Sequence, residues 1–304
     1  MVVENIRLYE GPYLYNCFWM ALIPIIGKYG IEEQELTLNI VPVLEMDEQG
    51  KWVFGSRTIE DFDEWISEHD LVEDHYSGED LYEFIRRNID CQIPVIVFVD
   101  CFYIDYIKNS YHKNHVEHCL VVYGYEGDQL KVIDHDYQDS LQYRHREVPY
   151  QIIYDAYINR SNGHSALAYR KSLNFSHVET SLKKRLRDMV QYLEKINWLE
   201  SILIFLQEMD RKGVAIDNET ISTAYLLGRG LLSLQHTVTS LLSENCKEKF
   251  ESFCSGYLIL RACYYKICNT EKYKSSAFLD KTTALNQACC ADVQAWYETI
   301  QGEV

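Results

Sequence analysis

The chain has 304 residues, of which 47 % are hydrophobic and 25 % charged. That is an ordinary globular composition, long enough for two domains, and it excludes a disordered chain or a disulfide-stapled mini-fold. The 29 Lys and Arg against 46 Asp and Glu leave a net charge of −17, which argues against a phosphate-backbone partner, so no nucleic acid is expected.

Residues 9–15, rich in Gly, Pro and Tyr, read as a loop. An apolar helix opens at Cys17, with Pro24 as a kink and Gly27 and Gly30 as its end. A short apolar run at 40–45 reads as a strand. Residues 58–66 read as a helix with Thr58 as N-cap and acids in its first turn. Residues 78–88 give another helix, with Leu81, Phe84 and Ile85 on one face. The period then changes. Residues 94–100 read as a buried strand and 116–125 as a second. Glu126-Gly127-Asp128 is a hairpin turn, from which 130–134 returns antiparallel. A short helix at 149–157 and a strand at 165–169 follow. Helices followed by a strand meander predict an α+β fold. After about Ser172 the strands stop. Residues 177–210, 218–243, 246–268 and 274–300 read as long helices with apolar residues at i, i+3, i+4 spacing, a bundle-like set. The predicted domains are 1–172 and 173–304.

The charge follows the same division. Residues 1–170 hold 13 basic and 30 acidic residues, and 171–304 hold 16 of each. The ten cysteines show no CxxC pair and no even framework, so free thiols in a reducing cytoplasm are expected. The first residues lack the pattern of a signal peptide, and no apolar run reaches 18 residues, so no membrane span is expected.

Cys17 is the first candidate for chemistry. A thiol at a helix start meets free N–H groups and the positive end of the dipole, both of which favour thiolate. The same groups could hold an oxyanion. The alternative is a buried helix-start cysteine. A cysteine nucleophile needs a base and a group that orients it. His118 begins a strand and is the best base; Asp134 ends the returning hairpin strand and is the best orienter. A competing reading takes His112, His115 and His118, spaced by three, with His135 and Asp136 across the hairpin, as metal ligands. The polar stretch 110–117 reads as a loop, so no metal is expected.

The order Asn16-Cys17 at a helix start, Pro94-Val-Ile-Val-Phe-Val-Asp100, His118-Cys-Leu-Val-Val-Tyr-Gly-Tyr-Glu and Val132-Ile-Asp134 resembles papain-like cysteine enzymes. More closely it resembles the N-terminal domain of the butirosin-biosynthesis acyltransferase family, which is related to bacteriocin leader peptidases. The resemblance covers about residues 6–170, and a helical C-terminal region also fits it. It implies a papain-like fold and a thiol acyltransferase. Such an enzyme takes an acyl group from a carrier-protein phosphopantetheine thioester onto cysteine and passes it to an amine. Cys17 would be the nucleophile, His118 the general base and acid, and Asp134 the orienting acid. The peptidase relatives place a Gln oxyanion donor six residues before the cysteine. Here that residue is Gly11, so Asn16 or the Cys17 N–H is the expected substitute. No bound cofactor is implied, since phosphopantetheine arrives on the donor.

The expected partners are an acyl or peptidyl carrier protein and a cationic amine or diamine, gathered by the acidic domain. Lys183, Lys184, Arg185 and Arg187 form the one local basic cluster, and a carrier protein is expected to dock there. Aromatic residues near the motifs (Phe18, Trp19, Phe102, Tyr103, Tyr106, Tyr123 and Tyr125) are expected to supply dry walls. A specific form of this reading is an enzyme of the closthioamide pathway that joins an acyl chain to a diamine. The alternatives are a cysteine peptidase or thioesterase with the same dyad, and a non-catalytic binding module or homodimeric scaffold.

Overall fold

Asn16 decides where the first helix begins. Its backbone is extended, and its Oδ1 accepts from Trp19 N at 3.0 Å, which satisfies one orphan amide of the first turn. Helix α1 (Cys17–Lys28) then runs through Pro24 and Gly27 and ends at Tyr29, just before Gly30 at φ +74°. Its residues from Trp19 to Ile26 are all buried, so the helix is enclosed.

The computed structural model describes residues 1–136, 140–172 and 181–303. In chain order α1 is followed by α2 (Glu33–Thr37), β1 (Ile40–Met46), β2 (Trp52–Thr58), α3 (Phe62–Glu68), β3 (Leu71–Tyr76) and α4 (Leu81–Asp90). Next come β4 (Val95–Asp100), β5 (Glu117–Glu126), β6 (Gln129–Asp136), β7 (Ser140–Pro149), α5 (Tyr150–Ile158) and β8 (Ala166–Lys171). The rest is helical: α6 (Leu182–Lys195), α7 (Trp198–Lys212), α8 (Asn218–Thr239), α9 (Glu244–Asn269) and α10 (Ser276–Glu303). The expected helix start at His177 lies outside the described residues. Residues 182–212 form two helices rather than one, because Asn197 takes a left-handed conformation between them.

The chain divides into two compact units, Met1–Glu33 with Glu60–Glu179 and Gln34–Ile59 with Thr180–Val304. The first unit is α+β. Its six-stranded sheet has the order β3-β8-β4-β5-β6-β7, and every neighbouring pair is antiparallel. The β5–β6 turn closes between Glu126 and Gln129, with Gly127 at φ +61°. Strand periodicity gives the sheet two apolar faces. Val95, Val97, Val99, Leu120 and Val122 share a core with Leu81, Phe84 and Ile85 of α4 and with Ile153 and Tyr157 of α5. The alternate residues face the other way, where α1 packs against β5 and Phe98 stacks on Phe18.

The second unit holds α6–α10 and also the β1–β2 hairpin, which a domain boundary at residue 172 assigns to the first. The hairpin goes with the helices because its apolar residues are buried among them. Val41, Val43 and Leu44 lie in one core with Phe205, Leu227, Leu231, Phe250 and Trp296. Trp52 Nε1 donates to Glu208 at 2.6 Å, and Thr223 Oγ1 donates to Trp52 O at 3.0 Å. Gly230 of α8 meets Phe54, and a Cβ there would lie 2.4 Å from the ring.

Thr58 is not a helix cap. It ends β2 opposite Ile40, and Asp61 caps α3 by accepting from Asp63 N and Glu64 N at 2.9 and 3.3 Å. Among the described residues no helix is long and apolar enough to cross a membrane. Asp61→Ala should cost about 1 kcal/mol of stability, read as a lower urea midpoint with an unchanged slope.

Candidate active site

Three elements bring the predicted residues together. Helix α1 presents Cys17 at its N-terminus, β5 presents His118 in its second position, and β6 presents Asp134 near its end. His118 and Asp134 side chains have no solvent exposure, and His118 Nε2 lies 2.7 Å from Asp134 Oδ1. A carboxylate can only accept, so Nε2 carries the proton and Nδ1 is the nitrogen left to serve Cys17.

Asp134 is held by more than its histidine. Its Oδ1 also accepts the His135 backbone N–H at 2.7 Å, and its Oδ2 accepts the Tyr106 hydroxyl at 2.6 Å. The Arg146 guanidinium lies over the Tyr106 ring, 4.6 Å from its centroid. Burial alone would push the Asp134 carboxyl up, but the His118 charge and these donors hold it below its ordinary range. Burial and the Asp134 charge push the Tyr106 hydroxyl well up, so it stays a donor.

Cys17 and His118 shift in opposite directions. A hydrogen bond from Cys119 is the largest influence on the Cys17 thiol. With the hydrogen bond and charge of His118 it outweighs partial burial and lowers the thiol to about 4. Burial of His118 disfavours its charged form, yet Asp134 and Cys17 outweigh that and raise it to about 10. The two therefore rest as thiolate and imidazolium across the neutral range. Burial pushes the Cys119 thiol far up, so it remains the donor of the pair.

His135 was absent from the expected triad. Its ring stacks on His118 at 4.5 Å and 17°. Burial, then the His118 charge, lower it to about 4, so it is a neutral ring beside a charged one. His118, Asp134 and His135 are also the one group among the described residues whose ligand atoms could meet on a metal, all within 4.8 Å. The predicted alternative of His112, His115 and His118 is not gathered. His115 is bound to Asp100 at 2.6 Å, and His112 lies edge-on to Phe102. The side chain of Asp136 lies outside the described residues.

The remaining predicted residues fall in different places. Asn16 spends its side-chain oxygen on the cap, which leaves its amide NH2 outside that bond. The space next to Gly11 is filled by Tyr9, whose hydroxyl would lie 2.2 Å from a Cβ there. Phe18 and Trp19 pack with Phe62 of α3 at 5.6 and 5.2 Å. Phe102, Tyr103 and Tyr106 sit on the loop that joins β4 to β5, at the His118 end of β5. Tyr123 is five residues along β5 from His118, about 17 Å at strand rise, so Tyr123 and Tyr125 do not wall the site. On α6, Lys183, Lys184 and Arg187 are exposed, but Arg185 is buried in an ion pair with Glu35 and does not join a surface cluster.

Cys119 and Arg146 acquire roles at the site that the sequence did not indicate, while Tyr106, expected as a wall, and His135, expected as a metal ligand, take different roles from those. For Cys119 and His135 the signal in the sequence is adjacency: Cys119 follows His118, and His135 follows Asp134.

Residues 70–135 match the family model of butirosin biosynthesis protein H, N-terminal. The resemblance to the butirosin-type family therefore holds over this stretch, which includes His118 and Asp134 but ends short of Cys17 and Asn16 on the N-terminal side. No curated protein matches the chain.

The ion pair makes a pH prediction. Alkylation of Cys17 by iodoacetamide, followed on its own peptide by mass spectrometry, should stay fast from neutral pH down to about 4 and fall below it. His118→Gln should move that fall upward, toward but not fully to the ordinary thiol range around pH 8.5, because the Cys119 hydrogen bond remains.

Proposed function

We propose that this chain is a cysteine-dependent acyltransferase that forms an amide. It would move an acyl group from a carrier-protein thioester, through acyl-Cys17, to an amine in natural-product biosynthesis. The observation that carries the reading is the lowered Cys17 thiol beside a raised, fully buried His118 fixed on Asp134. The family match over residues 70–135 supports the biosynthetic context. A helix-borne cysteine packed on an antiparallel sheet that carries the histidine and the acid is also how a papain-like enzyme would be built.

The chemistry follows from the groups in place. The Cys17 thiolate attacks the thioester carbonyl, and a carbon–sulfur bond forms. The oxyanion is held at the α1 N-terminus by the Cys17 N–H and the Asn16 amide. The pantetheine carbon–sulfur bond breaks, and the leaving thiolate takes the His118 proton. An amine then attacks acyl-Cys17 and gives a proton to His118, and the cysteine leaves as thiolate. The ion pair is restored. The aromatic packing of Phe18, Trp19 and Phe62 favours transfer over hydrolysis by keeping water from one side of Cys17. Glycine at position 11, against the phenol of Tyr9, fits a thioester better than a peptide bond, because a thioester needs less oxyanion support.

Two charge features support the partners. The acid excess of residues 1–170 attracts a cationic amine or diamine. Lys183, Lys184 and Arg187 on α6 offer an acidic carrier protein an exposed basic face.

Two experiments test these readings. Wild-type protein incubated with a panel of acyl-pantetheine thioesters should gain one acyl mass, and Cys17→Ala should gain none. Free acid as the one product, even with amine present, would establish a thioesterase instead. Reversing Lys183 and Lys184 to Glu should slow transfer from carrier protein and leave transfer from small thioesters unchanged; equal loss from both would remove the docking face.

A further inference from the structure

A second carboxylate–histidine pair lies at the same end of the sheet as the first. Asp100, at the end of β4, is buried. Its Oδ1 accepts the backbone N–H groups of Phe102 and Val116 at 2.9 and 3.2 Å, which closes the loop of residues 101–116 onto the strand. Its Oδ2 meets His115 Nδ1 at 2.6 Å. Because the carboxylate only accepts, a neutral His115 has its proton on Nδ1 and its lone pair on Nε2, directed away from Asp100. The ring stacks on Phe102 at 4.4 Å and 9°, and 66 % of the side chain is exposed. A ring fixed on one edge and one face, with its basic nitrogen on an open side, is built to take protons.

Its position relates it to Cys17. Asp100 follows Phe98 by two residues and so shares its face of β4. Phe98 stacks on Phe18, the neighbour of Cys17. Asp100 pairs with Glu117 in the register step next to Val99 and His118. Cys101 feels Asp134, Cys17 and Asp100 together, and burial with those charges pushes its thiol up. The two carboxylate–histidine pairs therefore share one end of the sheet. Near His115 stand Tyr103 at 6.4 Å and His112 across Phe102, and Glu117 is paired with Arg160 at 2.5 Å.

Proton balance gives such a base a task, on the reading of amide formation above. An alkylammonium loses two protons on the way to an amide. One must go before the nitrogen can attack, and one as the carbon–nitrogen bond forms. After acylation His118 has given its proton to the departing thiol, so it has room for one. We propose that His115, oriented by Asp100, is a second catalytic base that takes the first proton from the ammonium of the acceptor. The nitrogen–hydrogen bond breaks, its electron pair stays on nitrogen, and the proton moves to His115 Nε2 and then to solvent. His118 takes the second proton as the amide forms.

The test compares two nucleophiles in wild type, His115→Gln and His115→Ala. One is 1,4-diaminobutane, which is protonated at pH 7; the other is hydroxylamine, which is not. His115 is exposed, so its replacement leaves the core intact, and thiol release during acylation of Cys17 should match wild type. Amide formation with the diamine should fall at least about tenfold, and hydroxamate formation should not change. Added imidazole should restore diamine transfer in His115→Ala, and the deficit should shrink as pH rises toward that of the free amine. Wild-type rates with both nucleophiles, or equal loss with both, would overturn the second base and leave acyl transfer standing. Absence of acyl-Cys17 in wild type would overturn acyl transfer itself, and the second base with it.

Discussion

The buried contact between His118 and Asp134 is the constraint around which the first unit is arranged. A carboxylate with no access to water costs several kcal/mol unless charge and donors replace its hydration. Here three donors do so: the His118 ring, the His135 backbone and the Tyr106 hydroxyl. Each draws in a further element. His118 places β5 beside β6, His135 continues β6, and Tyr106 ties down the long loop between β4 and β5. Removing one partner would strand the other as an unpaired buried charge, which typically costs about 3–5 kcal/mol. The pair is therefore a structural element of the first unit, and the lowered thiol of Cys17 rests partly on it.

Much of this was legible from residue order, because the signals are local. Cys17 at a helix start, the β5–β6 turn at Gly127 and the apolar runs of β4 and β5 depend on nearest neighbours, and the structure follows them. The failures share a different cause. Residues 52–58 and 71–76 carry too few consecutive apolar residues to read as strands; the first takes that state from the hairpin it forms with β1 and from burial among distant helices, the second from pairing with β8 far along the chain. Thr58 looks like a cap until Ile40 takes it as a strand partner. Tyr106 reads as wall packing because its hydroxyl is matched to a carboxylate 28 residues away. Arg185 reads as surface charge because Glu35, its partner, is far off in sequence. Pairings of long range are invisible to periodicity.

Charge alone sorts the chain into an acid-rich part and a balanced one, and the acid-rich part contains the thiolate. A negative field opposes a thiolate, so the local donors must prevail over the global sign. They do so because Cys119 and His118 act at contact distance in a dry site, whereas surface carboxylates act through solvent. Global charge then remains free to act on what approaches from outside.

The β1–β2 hairpin carries a consequence for how the protein is made. Residues 34–59 leave the ribosome more than a hundred residues before the helices that cover Val41, Val43 and Leu44. Until α7 and α8 exist, that apolar ribbon has no home and two unpaired edges, a state open to aggregation. The first unit, though it starts earlier, is interrupted by a segment that belongs elsewhere. In a chain made from its N-terminus, that strand pair waits for its cover until the C-terminal helices are complete. A chain cut in the region between β8 and α6 would yield not two independent halves but a fragment with an orphaned hairpin and a bundle with a hole where that hairpin belongs.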